Sequence, residues 1–344
     1  VVGGGAGFSL FPEALLEKLQ LDYGVVGEGE EIFSDLLRRV DENNLPPRGL
    51  LYRNSFPHFL GNTAVPRDAE LAHYYLRSGG MLNVQTKRGC PHRCAYCSYP
   101  ALEGRSYRFR PATAVVDEIE MMIERNNADY YSIIDSVFND VEGHYLEIAE
   151  ELVRRNISVP WMAFFRPDQF TDEQVALLKR SGLHAVEWGT DCTTGTTLRE
   201  LGKDFDWECV KSSNELFARH GIASAHFVIF GGPGETPETV REGIANLDAL
   251  QNAVVFIFCG IRILPKTAIH NRAVADGLIG EDDPILEPVF YFSPEIHREE
   301  LDRELRNAFS GRPDRQYPSV TDPEFLRLFH ELGYRGPRWD MILK

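Results

Sequence analysis

No apolar run in this sequence approaches the roughly 20 residues that a membrane-spanning helix needs. No leader peptide is recognisable, and no membrane span is expected. Cysteine is scarce: there are six in 344 residues. Three of them fall in one short motif, so a secreted disulfide framework is not expected, and a reducing, cytoplasmic setting is. Positive charge is in deficit, with 36 Lys and Arg against 52 Asp and Glu and a net charge of −16. Nucleic-acid binding rests on phosphate neutralisation, so a nucleic-acid partner is disfavoured. The cations Lys87, Arg88, Arg93, Arg105, Arg108 and Arg110 do gather locally. They are expected to balance an anionic group and a carboxylate-bearing ligand. An initial Met is also missing. The chain opens on Val-Val-Gly-Gly-Gly, which reads as the end of a strand, and is expected to continue from a missing N-terminal part.

What is present is an ordinary globular composition, 43% hydrophobic and 26% charged. It suffices for one large α/β domain or two smaller ones.

The chemistry concentrates in Thr86-Lys-Arg-Gly-Cys-Pro-His-Arg-Cys-Ala-Tyr-Cys97, a CxxxCxxC set. A structural zinc takes four protein ligands, and a four-iron cluster usually takes four cysteines. Three thiols in one loop leave one iron open to a small molecule. The competing reading is a zinc knuckle completed by His92, which lies inside the same loop.

The spacing of Cys90, Cys94 and Cys97 resembles that of the radical S-adenosylmethionine (SAM) superfamily. The resemblance implies a [4Fe–4S] cluster on these cysteines and SAM on its open iron. It further implies reductive cleavage of SAM to a 5′-deoxyadenosyl radical that abstracts hydrogen from a substrate. Tyr96, between the second and third cysteines, would pack near the adenine. An electron donor such as flavodoxin or ferredoxin is implied as partner.

Strands are expected at 82–86, 130–134, 159–164, 184–189, 225–230 and 254–262. Helices are expected at 112–126, 142–156, 171–181, 206–220 and 236–251. Alternating strands and helices imply right-handed βαβ units and a parallel sheet. Six units suit a partial (β/α)6 TIM-like barrel, whose active sites lie at the carboxyl ends of the strands.

Five segments beyond the cysteines are similar to the same family. Tyr130-Tyr-Ser-Ile-Ile-Asp-Ser-Val-Phe138 would end a strand on Asp135, as an acceptor for the SAM ammonium or ribose or as a solvated turn cap. Trp161-Met-Ala-Phe-Phe-Arg-Pro-Asp168 would offer Arg166 to the SAM carboxylate, the alternative being a surface arginine before a Pro turn. Val186-Glu-Trp-Gly-Thr-Asp-Cys192 departs from the family's "G-I-E-S" strand. Asp191 replaces Glu there and Cys192 replaces Ser, and the shorter acid reaches about one bond less far toward SAM. Phe227-Val-Ile-Phe-Gly-Gly-Pro-Gly-Glu-Thr236 would let Gly231, Gly232 and Gly234 bring backbone close to adenine or ribose. In it, Thr236 and Pro237 read as an N-cap and first helical position. Ile261-Arg-Ile-Leu-Pro-Lys-Thr-Ala268 would place Arg262 either toward the barrel interior, to meet a substrate carboxylate, or in an exit-loop ion pair. Cys192, Cys209 and Cys259 read as small buried residues.

Upstream, residues 1–40 read strand, Gly-rich turn, helix, strand and helix. With Asp22-Tyr-Gly-Val-Val-Gly-Glu-Gly-Glu30 they resemble the tail of a cobalamin-binding domain linked to a radical SAM domain. Four regions are therefore expected: a cobalamin-domain remnant at 1–40, a connector at 41–80, the barrel at 81–280, and a C-terminal extension at 281–344. The extension is expected to close the barrel mouth and to shape choice of a small-molecule or lipid-like substrate. Cobalamin-dependent methyl transfer or rearrangement is the implied outcome. A cobalamin-independent radical enzyme and a non-catalytic electron-transfer module are the alternatives. A methylthio-type RNA modifier would need a second cluster and a basic module, and neither is seen.

Overall fold

The computed structural model describes residues 1–52, 66–319 and 323–343. They separate into two compact units. One takes the described residues of Val1–His58 with Arg88–Arg108 and Ile261–Tyr291; the other takes those of Phe59–Lys87 with Phe109–Gly260 and Phe292–Lys344. Of the expected connector at 41–80, residues 53–65 lie outside the described residues.

The larger unit is built on seven strands: β1 Leu82–Val84, β2 Tyr131–Ile133, β3 Trp161–Phe165, β4 Leu183–Asp191, β5 Ala223–Phe230, β6 Ala253–Cys259 and β7 Arg315–Gln316. They lie side by side in chain order, and every neighbouring pair is parallel. Helices α1 Ala112–Asn126, α2 His144–Arg154, α3 Asp172–Arg180, α4 Trp207–Arg219 and α5 Pro237–Asp248 connect them. The sheet stays open between β1 and β7, so the expected α/β partial barrel is what forms.

The strand sequences explain the layering. Parallel strands are covered on both faces and so read as near-continuous apolar runs, as Trp161-Met-Ala-Phe-Phe165 does. Their side chains alternate between faces. One set, with Phe165 and Trp188, packs edge-to-face against Phe217 of α4 at centroid distances of 5.7 and 4.9 Å. Each such ring pair adds about 1 kcal/mol beyond its buried area. The alternate set, with Phe164, Phe227 and Phe256, faces the other side. At α5, the Thr236 hydroxyl accepts the Thr239 N–H while the Thr239 hydroxyl accepts the Thr236 N–H. Pro237 follows where a missing donor costs nothing.

Two expectations need correction. The strand read as 254–262 ends at Cys259, because Gly260 turns to φ +73° and gives its N–H to Phe230 O at 2.8 Å. A Cβ at Gly260 would sit 2.4 Å from the Phe292 ring, so only glycine fits. Ile261–Arg262 instead pairs antiparallel with Phe290–Tyr291 in the smaller unit, and Arg262 is exposed, which removes the interior reading and leaves the exit-loop one. The sheet also gains a strand the sequence did not announce, β7. It is held by Arg315, which is 2% exposed and donates to the carbonyls of Leu247, Leu250 and Ala253 at 2.8, 2.6 and 2.9 Å.

In the smaller unit, Val2–Gly3, Tyr23–Val26 and Gly49–Tyr52 form a three-stranded parallel sheet. Helices Pro12–Lys18 and Glu30–Asp41 accompany it. Among the described residues, no helix is long and apolar enough to cross a membrane.

Candidate functional site

The chain leaves β1 through Thr86 and Lys87, and both are fully buried. Asp135, just past β2, takes the backbone N–H of Thr86 at 2.8 Å and of Lys87 at 3.2 Å, and the Thr86 hydroxyl on its other oxygen. The Lys87 ammonium reaches Asp135 at 3.6 Å and Asp140 at 3.1 Å, and donates to Phe138 O at 2.5 Å. Burial pushes the Asp135 carboxyl up, and Lys87 with the Thr86 bonds pulls it back. Asp135 is thus neither a solvated cap nor an idle acceptor. Its carboxylate fixes the residues that launch the cysteine loop.

The loop itself lies in the smaller unit. Gly89 has φ +86°, and a Cβ there would meet Ser106 O at 2.1 Å, so the entry turn demands glycine. The Cys90 N–H bonds Gly104 O at 3.1 Å, and the Cys97 N–H bonds Cys94 O at 3.1 Å. Cys90 is buried, Cys94 and Cys97 are half-buried, and all six cysteines of the chain are thiols rather than disulfides. Tyr96 lies half-buried between them. Among the described residues no cage of three or more His, Cys, Asp or Glu is assembled for a metal ion. Cys90, Cys94 and Cys97 offer three soft thiols from one loop, one fewer protein ligand than a closed four-ligand zinc site takes.

Most of the cations that gather in this stretch of sequence meet carboxylates of the chain itself. Arg108 forms a two-pronged pair with Glu28, and Arg88 reaches Glu30 at 2.6 Å and Glu28 at 3.5 Å. Arg110, in the larger unit, meets Glu118 at 2.6 Å. Carboxylates of this chain, not a ligand alone, neutralise four of the six basic residues, counting Lys87. Glu28 and Glu30 belong to the Gly-Glu-Gly-Glu segment that closes the stretch Asp22–Glu30. Their work is to brace the loop's arginines.

The remaining expected site residues lie at the carboxyl ends of β3, β4 and β5. Arg166 bonds Asp204, lies 3.7 Å from Asp168, and stacks over Phe205 at 5.4 Å. Asp191 is buried at φ +59°, a conformation that Asp tolerates better than most residues, and it pairs with Lys203. Lys203 also donates to Gly189 O at 3.1 Å. Gly231 has φ +86°, and a Cβ there would meet Phe292 at 2.9 Å; Gly234 has φ +75° and would meet Glu200 at 2.7 Å. The chain's own packing thus already requires glycine at both positions. Gly232 is buried between them.

Sequence reasoning passed over Glu235, in the same Gly-Gly-Pro-Gly-Glu-Thr run. It is 2% exposed, and it accepts the Thr239 hydroxyl at 2.8 Å and the Gly231 N–H at 3.3 Å. Burial pushes its carboxyl up to about 7, against those hydrogen bonds. The signal was an acid inside an apolar turn. Lys203 and Asp204 gave no signal, since their partners lie 12 and 38 residues away. Burial raises Cys192 above an ordinary thiol, which fits the small buried residue expected. Cys209 and Cys259 are only half-buried, and the Cys259 thiol lies 3.3 Å from the Tyr317 hydroxyl.

The family model described as Radical SAM superfamily matches residues 84–245, from the end of β1 through most of α5. Residues 84–245 are a radical SAM domain. A tryptophan 2-C-methyltransferase of Streptomyces laurentii is 28% identical, over 77% of this chain and 57% of its own length. An anaerobic magnesium-protoporphyrin IX monomethyl ester cyclase of Rubrivivax gelatinosus is 27% identical, over 70% and 47%. The chain thus spans about half the length of these curated relatives. Among solved structures, the radical SAM methyltransferase TsrM of Kitasatospora setae, bound to tryptophan and a SAM analogue, superposes with a TM-score of 0.89. It is 24% identical, and the match covers 100% of this chain and 79% of that one. The cobalamin-dependent radical SAM enzyme OxsB gives a TM-score of 0.68 at 16% identity, over 90% and 53%. At these identities the structural likeness speaks for the radical SAM fold.

Proposed function

We propose that this radical SAM protein is an enzyme of the cobalamin-linked class, with Cys90, Cys94 and Cys97 as ligands of its [4Fe–4S] cluster. The observation that carries the reading is the loop itself: three thiols between backbone clamps at Gly89 and Gly104, with no fourth cysteine beside them. When bound, the cluster supplies the electron that cleaves SAM and leaves a 5′-deoxyadenosyl radical able to take hydrogen from a substrate.

The chain's own residues bind and orient. Asp135 and Lys87 hold the start of the loop. Glu28 and Glu30 keep Arg88 and Arg108 charge-matched beside the cysteines. Arg166 and Asp191 would meet the carboxylate and ammonium of SAM by sharing their contacts to Asp204 and Lys203. The backbone from Gly231 to Gly234, with Tyr96, would receive the adenosine. Residues 1–40 are read as the end of a cobalamin-binding domain and 41–80 as its connector. The barrel is read as 81–280, and 281–344 as the substrate-shaping extension. OxsB and TsrM have been solved with cobalamin bound, which supports cobalamin as a cofactor here and methyl transfer as one outcome. A flavodoxin or ferredoxin in the cytoplasm would supply electrons, and the substrate would be a small or lipid-like molecule.

The test is anaerobic: reconstitute with iron and sulfide, add SAM and dithionite, and follow 5′-deoxyadenosine by mass spectrometry. The reading expects product in the native protein and none in Cys94→Ala. A loaded cluster that never cleaves SAM would refute it.

A further inference from the structure

The larger unit contains a cavity of about 550 Å³ that none of the expected site residues lines. That volume is ordinary for a small-molecule site. Its walls come from the inner faces of β4, β5 and β6, from Gln316 of β7 with Ser319, from Phe329, and from the C-terminal turn Arg338–Leu343. Phe227, Phe256 and Phe258 form the apolar wall. Their ring planes agree closely. Phe227 and Phe256 stack at 5.2 Å and 14°, and Phe227 and Phe258 at 6.4 Å and 16°. Phe258 remains 40% exposed, although it is a phenylalanine inside a barrel. A stack of parallel rings favours another flat ring over a rounded apolar body, because offset stacking needs a plane to meet a plane.

Opposite parity puts Glu187 on this inner face, while Trp188 packs outward. The Trp339 indole donates to Glu187 Oε1 at 3.1 Å, and no donor among the described residues meets Oε2. Gln316, Ser319 and Arg338 also line the cavity, and a carboxylate beside its phenylalanine wall is costly unless a donor satisfies it. Burial raises this carboxyl, with the Trp339 bond opposing.

We infer that this cavity is the substrate pocket, and that it takes a planar heteroaromatic molecule whose ring N–H is read by Glu187. The inference rests on the proposed enzyme reading for the word substrate. The binding chemistry stands on the pocket alone.

The test titrates the reconstituted full chain by calorimetry with three probes: indole, benzothiophene (the same shape without the N–H) and adamantan-1-ol (apolar but not flat). Indole should bind at one site, at least fivefold tighter than benzothiophene and tenfold tighter than adamantan-1-ol. Glu187→Met should abolish the difference between indole and benzothiophene. Phe258→Leu, at a half-exposed position that does not threaten folding, should weaken both flat probes at least fivefold. Adamantan-1-ol binding as tightly as indole would overturn the inference. So would indole binding unchanged in both variants with native thermal melts. Iron content and SAM binding are read on the same samples. Their loss with selective indole binding intact would sink the enzyme reading and leave the pocket standing. The reverse would sink the pocket alone.

Discussion

Glu235 stands out as a carboxyl buried beside the glycine turn. It is an acid sealed in the turn after β5, with its carboxyl pushed from 4.5 up to about 7. A raised acid favours the protonated folded state. Its penalty is absent below the unfolded value near 4.5, grows as pH rises toward 7, and is constant above. That displacement corresponds to about 3 kcal/mol. Glu235→Gln should therefore match the native protein in stability near pH 4.5 and exceed it by up to about 3 kcal/mol at pH 8. Urea midpoints of both proteins across that range check this. The residues legible in the sequence were those whose meaning is local. Cys90, Cys94 and Cys97 announce themselves by spacing within eight positions. Lys87 reads as one more surface cation until Asp135 and Asp140, about 50 residues on, enclose it.

At the scale of elements, the alternation of apolar strands and amphipathic helices carried most of the fold. The stretch 112–126 is the clearest case, since α1 forms over those residues. Two elements escaped for physical reasons. Gly260 breaks a run that composition alone makes continuous, because the Phe292 ring fills the space where a Cβ would stand. Strand β7 has two residues, too few for any period, and its anchor is a buried arginine. Arg315 ties three carbonyls at the end of α5 and the start of β6 to the seventh strand. Arg315→Met would leave those acceptors without their donor and cost about 3 kcal/mol. A drop in urea midpoint at constant m value would show it. A loss below about 1 kcal/mol would mean that water replaces the guanidinium.

For the whole molecule, the strand order, the glycine turns and the match to the superfamily agree with one another. Agreement across levels is what makes a sequence specify one structure. The pairing of the Gly-Glu-Gly-Glu segment with Arg88 and Arg108 was not legible, since it joins positions 58 to 80 residues apart. It gives the upstream segment a part in shaping the cysteine loop. The claim on which the account turns is that one open-sided cluster sits on Cys90, Cys94 and Cys97. Electron paramagnetic resonance of the anaerobically reconstituted, reduced protein tests it most directly, with and without SAM, beside single Cys→Ala variants. The account predicts about four irons per chain and a cluster signal that shifts on adding SAM and disappears in each of the three variants. A signal that survives removal of any one of these cysteines, or that SAM leaves unmoved, would contradict it.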